Sequence, residues 1–442
     1  MIKINPRYFE FLAKYLSFQS VSTSDKFTKE INDCVNWLDD QLTAEGFQVN
    51  VISGYANPII IAKLNVGAAE TCLVYGHYDV QPADEHPELW FQNPFELLVK
   101  NDRIYGRGVA DNKGQFTIHL LNIIEAAKAK KLAYNITIML EGNEESGSPL
   151  IDKFIEDYQK ELACDFAIIS DGEMIDNHPT IEAGLRGIAV FTVQVTTSSK
   201  ELHSGTFGGF VHNAASEISK LISQIEQNGE IAIPGFYEGA REFYQQNKKL
   251  TETYILDDLK LAKLTGSNKF KSNLGYHAQT GLLPAIEIIG LKSGFIASGY
   301  KTAIPNEAEV KINIRTVGRQ NTAAIVAQTV EFFKENLIPG LEISFQDHQV
   351  KKMADPVVLD LANEYVSTAK KILEHVYQEQ VIYNFVGGSI PLVGELQRKI
   401  TRNLLMLPLT NYDCDMHSIN ENFDLAVLEK SLRISNLFFS KK

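Results

Sequence analysis

Short apolar runs that stop abruptly on imidazole or carboxylate groups constrain this chain more than any other feature. Residues 71–80 read TCLVYGHYDV, residues 134–140 (YNITIML) run into GNEESGS, and residues 165–170 (DFAIIS) run into Asp171-Gly172-Glu173. Runs of this length between turn signals are buried strands, and segments of helical period separate them. Alternation of that kind indicates a mostly parallel sheet covered on both faces. Ligands of such sheets bind beyond the carboxyl ends of the strands. His77, Glu144, Glu145 and Asp171 are therefore expected to converge there. His77 and Asp79 sit at i and i+2 and project to the same side of an extended segment. The pair reads either as a metal ligand with its orienting carboxylate or as two polar residues at a turn, and a lone HxD favours the second reading.

The rest of the chain extends this pattern. Residues 6–18 and 27–45 have helical spacing, with Ile31, Val35, Leu38 and Leu42 on one face and Gly46 as the stop. Strands are expected at 48–52 and 58–64, and helices at 114–130 and 149–162. Residues 81–108, with Pro82, Pro87, Pro94 and Trp90, form a long turn-rich loop of the kind that carries function more often than not. The pattern changes at residue 187. Residues 187–196 alternate like a half-buried strand, 211–227 and 238–264 are helical, and 267–283 are irregular. Strands at 285–291, 307–315 and 341–345, with a helix at 322–336, complete a separate α+β domain of ferredoxin-like kind. From residue 356 the helix–strand alternation returns. The expected architecture is one α/β domain (1–186 and 352–442), with a mostly parallel mixed sheet flanked by helices, interrupted by a smaller inserted domain (187–351).

Composition narrows the partners. A net charge of −13 over 442 residues argues against nucleic acid or an anionic membrane as partner. It does not oppose divalent cations or a small zwitterionic substrate. Cys34, Cys72, Cys164 and Cys414 are scattered without CxxC pairing, which fits a reducing compartment. No apolar run reaches the roughly 18 residues a membrane span needs. The expected location is the cytoplasm.

Two further candidates follow turn signals: Asp111 in YGRGVADNKG and His417 in NYDCDMHSINE. Two imidazoles and three carboxylates, with a further Glu beside one of them, match a pair of divalent ions sharing one carboxylate. Nitrogen and oxygen donors without thiolate suit Zn²⁺, with Mn²⁺ or Co²⁺ as alternatives. Two metals about 3.5–4 Å apart can hold a bridging hydroxide and polarise a carbonyl together. Glu144-Glu145 would then divide the work, one carboxylate a ligand and the other a general base. By itself EE after a strand is more often a solvated helix start. Its coincidence with the other strand ends tips the balance.

GHYDVQP, a W-x-x-x-PFE stretch (Trp90, Pro94, Glu96), RIYGRGVADNKG, EGNEESGS, SDGE, ELHSGTFGG and the C-terminal MHSINE together resemble the M20 family of metallopeptidases, most of all its cytosolic non-specific dipeptidase, or carnosinase-like, branch. The blocks occur in family order from about residue 72 to residue 421. The resemblance implies His77, Asp111 and Asp171 on one metal, and Asp111, Glu145 and His417 on the other. It makes Glu144 the general base that activates a metal-bridging water, and Asp79 the residue that orients His77. It also implies a cis Asp111–Asn112 peptide. Asp171, rather than a Glu, fits the peptidase side of the family. The inserted domain would be the dimerisation or lid domain, its His203 reaching the partner subunit's site to stabilise an oxyanion. Arg315 would clamp the substrate carboxylate, with Gly387, Gly388 and Ser389 of VGGSIP beside it and Thr302 and His348 as further contacts. Read from the sequence alone, Arg315 is nearly as well explained by a strand-end surface pair, and without the surrounding HSGTFGG His203 would read as a surface-loop histidine. The other histidines (His86, His119, His178, His212, His277, His375) lack paired context and read as structural or surface residues.

One position departs from the branch. The residue before GGS is often acidic there, a match for the free amino group of a dipeptide, and here it is Val386. The expected activity is hydrolysis of the amide bond of dipeptides or short peptides by a homodimer. N-acyl amino acid deacylation is the alternative. A non-catalytic peptide-binding homologue ranks below both, since all five ligands and the base are present.

Overall fold

The computed structural model describes residues 4–83, 86–272, 274–347 and 353–441. His348 lies outside the described residues. The chain divides into two compact units, one of Met1–Ala183, Leu359–Asn384 and Ile390–Lys442, the other of Gly184–Val358 with Phe385–Ser389.

The first unit is built on a mixed sheet. Asn135–Glu141, Thr71–His77, Phe166–Ile169 and Leu404–Met406 lie side by side and parallel. Ile59–Leu64 and Gln48–Ile52 extend the sheet antiparallel beyond Asn135–Glu141. Thr180–Leu185 runs antiparallel beside Leu404–Met406. The central strands are buried on both faces: Cys72, Leu73, Val74, Ile138, Met139, Leu140, Ala167, Ile168 and Leu405 are all inaccessible to solvent. Each buried aliphatic side chain contributes about 1.5–3 kcal/mol, so the strand positions are fixed by packing and only their carboxyl ends are open to chemistry. The helix Lys113–Lys128 is buried continuously from Lys113 to Ile124. It packs against Thr71–His77 and against the helices Pro6–Leu16 and Leu425–Phe439. That placement explains why Gln115 and His119 on it are buried.

The second unit holds an antiparallel sheet in the order Ala285–Ser293, Glu307–Thr316, Gly187–Thr196, Glu342–Gln346. Burial along Gly187–Thr196 alternates without a break, as a strand with one packed face requires. Ala189, Phe191, Val193 and Val195 meet Ile218 and Leu221 of the helix Ala214–Ile225 and Val326, Val330 and Phe333 of the helix Thr322–Asn336.

Several local expectations change. The helix expected at 149–162 is two helices, Ile151–Asp157 and Gln159–Leu162. Tyr158 leaves helical geometry between them, its ring stacked on Phe154 and edge-on to Tyr55. The helix at 238–264 is also two, Ala240–Thr251 and Asp258–Thr265, because the Asp257 carboxylate accepts from the Lys260 N–H and starts a new helix. The segment 267–283 is not wholly irregular, since Tyr276–Leu282 is helical. Thr180–Leu185 is a fully buried strand that Glu182 and Gly184 disguise in the sequence. The loop 81–108 contains a hairpin, Leu98–Lys100 with Arg103–Tyr105, onto which Asn422–Asp424 pairs. Among the described residues no helix is long and apolar enough to cross a membrane.

Candidate metal centre

The parallel strands end together, and their loops supply the site. His77 is the last residue of its strand and is buried. Its Nε2 lies 2.9 Å from Asp111 Oδ1 and 3.3 Å from Asp171 Oδ1. The other Asp111 oxygen, Oδ2, lies 2.7 Å from His417 Nε2, which is in turn 3.2 Å from Glu145 Oε2. Two groups of donor atoms result: His77, Asp111 and Asp171, and Asp111, Glu145 and His417. Within each, the atoms lie within 4.8 Å of one another. Asp111 belongs to both and offers one oxygen to each.

The surroundings orient these side chains. Nδ1 of His77 is 3.0 Å from the Asp79 main-chain carbonyl and 3.3 Å from a carboxylate oxygen of Asp79. A proton held there would leave the Nε2 lone pair free for a cation set between Asp111 and Asp171. The Asp79 carboxylate also accepts from the N–H groups of Glu144 (3.3 Å) and Glu145 (3.1 Å). It thus fastens the turn Glu144–Ser146 to the His77 strand. Asn112 ties His77 to Asp171 in the same manner. Its amide donates to the Ser170 carbonyl and to Asp171 Oδ1 (3.0 Å), and its oxygen accepts the His77 N–H (3.3 Å). The Asp111–Asn112 bond is cis. Gln81 donates to Glu145 Oε2 at 2.7 Å.

The charges are arranged as a cation site would require. Burial and the neighbouring carboxylates of Asp171, Asp111 and Glu145 push the Glu144 carboxyl well above its ordinary range, against the opposing pull of His77. Burial also raises Asp171 and Glu145, each further raised by Asp111. Asp111 is held below the usual carboxylate range despite its burial, by hydrogen bonds from His417 and His77. His417 is pushed up to about 10 by its hydrogen bonds to Asp111 and Glu145. Carboxylates crowded in this way repel one another unless cations intervene. Two imidazole nitrogens and three carboxylates, one presenting an oxygen to each side, fit a pair of divalent ions in donor type and arrangement.

The remaining candidates lie in the second unit. His203 is exposed, and its Nδ1 accepts the Gly205 N–H at 3.1 Å. The Thr302 carbonyl accepts the N–H of the adjacent Ser204. Arg315 donates to Ser389 Oγ at 3.1 Å, and Ser389 Oγ donates to the Arg186 carbonyl. The Gly388 carbonyl accepts the Arg186 N–H at 3.1 Å, and Arg186 Nε donates to the Gly387 carbonyl at 3.1 Å. Burial lowers both guanidinium groups, and Arg315 lowers Arg186 further, to about 10. Sequence reasoning gave no role to the side chains of Arg186, Asn112, Gln81 or Glu421. Asn112, Gln81 and Glu421 stand in the quoted motifs and Arg186 outside them, but spacing alone gives no sign of what their side chains hold.

A family model described as Peptidase family M20/M25/M40 matches residues 73–440. The Cys-Gly metallodipeptidase of Schizosaccharomyces pombe is 30% identical over 392 residues, covering 85% of this chain and 81% of that one. The human Beta-Ala-His dipeptidase is 28% identical over 384 residues, covering 83% and 74%. In three dimensions the chain is similar to the M20 family metallo-carboxypeptidase Sso-CP2 of Sulfolobus solfataricus, at 26% identity, a TM-score of 0.87 and 98% coverage of both chains. The match spans His77, Asp111, Glu144, Glu145, Asp171 and His417 alike, and with the geometry around Asp111 it identifies the chain as an M20 family metallopeptidase.

Proposed function

We propose that the protein is a two-metal dipeptidase that holds Zn²⁺ on His77, Asp111 and Asp171 and on Asp111, Glu145 and His417. The observation that carries this reading is the Asp111 carboxylate, set between two histidines with one oxygen toward each. Bound there, two divalent cations supply Lewis-acid charge to the scissile carbonyl and lower the pKa of water. Glu144 is the general base: it takes the proton of the attacking water and returns it to the leaving amine. Its turn is held by Asp79 through two backbone N–H groups, so the base and the adjacent ligand Glu145 are positioned together.

Substrate contacts come from the second unit. The Arg315 guanidinium donates to Ser389 Oγ and has no carboxylate partner among the described residues, which supports it as the clamp for the carboxylate of a short peptide, while the Arg186 main-chain carbonyl accepts from the same hydroxyl. Gly388, Thr302 and His348 are further substrate contacts in this reading. His203 contributes an oxyanion donor to a partner subunit. Because its Nδ1 accepts the Gly205 N–H, the neutral ring carries its proton on Nε2, where it can be donated. A homodimer through the second unit is supported by the edge strand Ala285–Ser293, which exposes Ile288, Ile289 and Leu291. Four free cysteines support a cytoplasmic location.

The relatives named above are a Beta-Ala-His dipeptidase and a Cys-Gly metallodipeptidase, and these names support a preference for small dipeptides. Val386 favours a second reading, deacylation of N-acyl amino acids, because an apolar residue there offers nothing to a free ammonium group. A panel of dipeptides, N-acetyl amino acids and N-succinyl amino acids, assayed with Zn²⁺, Mn²⁺ and Co²⁺, separates the two. Dipeptide turnover that Glu144→Gln abolishes is the expected result. Turnover confined to acylated substrates would replace the first reading with the second, and substantial activity left in Glu144→Gln would remove Glu144 as the base.

A further inference from the structure

His77 and His417 are held differently. The His77 ring is oriented through Nδ1 by Asp79. His417 makes polar contacts through Nε2 alone among the described residues, its side chain is 52% exposed, and its backbone is left-handed at φ 61°. A ligand imidazole without a partner on its second nitrogen must take its orientation from the loop that carries it. Four residues later that loop contains Glu421, whose carboxylate is wholly buried.

We infer that Glu421 is the positioning residue of the second metal group, acting on all three of its ligands without touching the ions. One carboxylate oxygen accepts the N–H groups of Ala110 (2.8 Å) and Asp111 (3.0 Å). The other accepts the Gly108 N–H (2.9 Å) and Arg107 Nη1 (2.8 Å). The bridging ligand Asp111 is thereby fixed from its own backbone. Arg107 passes the connection on, since its Nη2 donates to the Pro82 carbonyl at 3.2 Å and the neighbouring Gln81 donates to Glu145. His417 is tied in through the short chain between it and Glu421. Asp111, Glu145 and His417 are thus all linked to this buried carboxylate. By contrast, His77 and Asp171 are held by Asp79 and Asn112, and neither is bonded to Glu421. The network therefore governs the second group more than the first.

The inference rests on the two-metal reading, and calorimetric titration with Zn²⁺ under a competing chelator tests both. The wild-type chain should bind two equivalents. Glu421→Asp keeps a charge opposite Arg107 but is one methylene too short to meet all four donors. It should bind the first equivalent within about threefold of wild type and the second about 10- to 100-fold more weakly, the range for residues that support metal ligands. Co²⁺ absorption, recorded at one and two equivalents, should show the second spectrum altered and the first preserved. Circular dichroism of the metal-free variant verifies folding; should Glu421→Asp fail to fold, the double variant Arg107→Met with Glu421→Gln, which leaves no buried charge unpaired, takes its place in the same titration. Unchanged affinities, or an equal loss in both equivalents, would overturn the positioning role. A wild-type chain that binds one equivalent would overturn the two-metal reading and this inference with it.

Discussion

Acid should weaken the first unit through His119, and the size of the effect follows from its surroundings. The ring is 1% exposed on the Lys113–Lys128 helix, with Nδ1 3.0 Å from Ser435 Oγ and Nε2 2.8 Å from Ser170 Oγ. A neutral imidazole satisfies two hydroxyls by donating to one and accepting from the other. Burial lowers its pKa from 6.5 to about 3. The unfolded chain takes up a proton near pH 6.5, whereas the folded chain does not until about pH 3. The stability His119 confers is therefore whole above pH 6.5 and falls as pH drops toward 3, by about 1.4 kcal/mol per pH unit inside that window. At pH 5 the loss amounts to about 2 kcal/mol. Trp37 and Trp90, the only tryptophans, both lie in the first unit, so their fluorescence reports its unfolding. Urea unfolding of metal-free protein should show wild type losing about 2 kcal/mol more between pH 7.5 and pH 5.0 than His119→Gln. The double difference cancels the other titrating groups and any uniform cost of the substitution. Parallel losses in the two proteins would refute the assignment of a neutral, buried His119.

Asp79→Asn places an amide where a carboxylate now accepts two N–H groups, leaving one of them facing a donor. The expected loss is about 1–3 kcal/mol, read as a fall in kcat of about 10- to 100-fold with two ions still bound; a kcat within twofold of wild type would show that the Glu144–Ser146 turn holds itself. Removal of metal by a chelator should lower the unfolding temperature, because ions that bind only the folded chain stabilise it by mass action. An unchanged transition would mean that the ligand groups bind nothing tightly. Ile289→Lys, on the exposed edge strand, should shift sedimentation from dimer to monomer, and a dimer unaffected by that charge would place the interface elsewhere.

The residues that meet around Asp111 were legible because each stands at the end of an apolar run or in a turn before a helix. Burial explains the apolar residues around His77, Glu144-Glu145 and Asp171 but offers no reason for the polar ones that follow. What spacing could not convey is the work of backbone-directed side chains. Asp79 reads as a partner for His77, yet in the structure its carboxylate also gathers the N–H groups of Glu144 and Glu145. Glu421 reads as the tail of a motif, and its role emerges only when the chain folds back to place Gly108, Ala110 and Asp111 around it. The fold was legible to a similar depth. Alternating strands and helices are written in hydrophobic period, whereas Thr180–Leu185 is not, because Glu182 and Gly184 interrupt its apolar residues although all six positions are buried. Helix breaks at Tyr158 and Asp257 depend on an aromatic stack and a cap, both of which outweigh an otherwise helical period.

The most direct test of the two-metal centre is anomalous diffraction at the zinc absorption edge from crystals of the Zn²⁺-loaded protein. Two peaks about 3.5–4 Å apart, one beside each oxygen of Asp111, with His77 and Asp171 at the first and Glu145 and His417 at the second, are the predicted result. A single peak, or a pair that does not share Asp111, would contradict it.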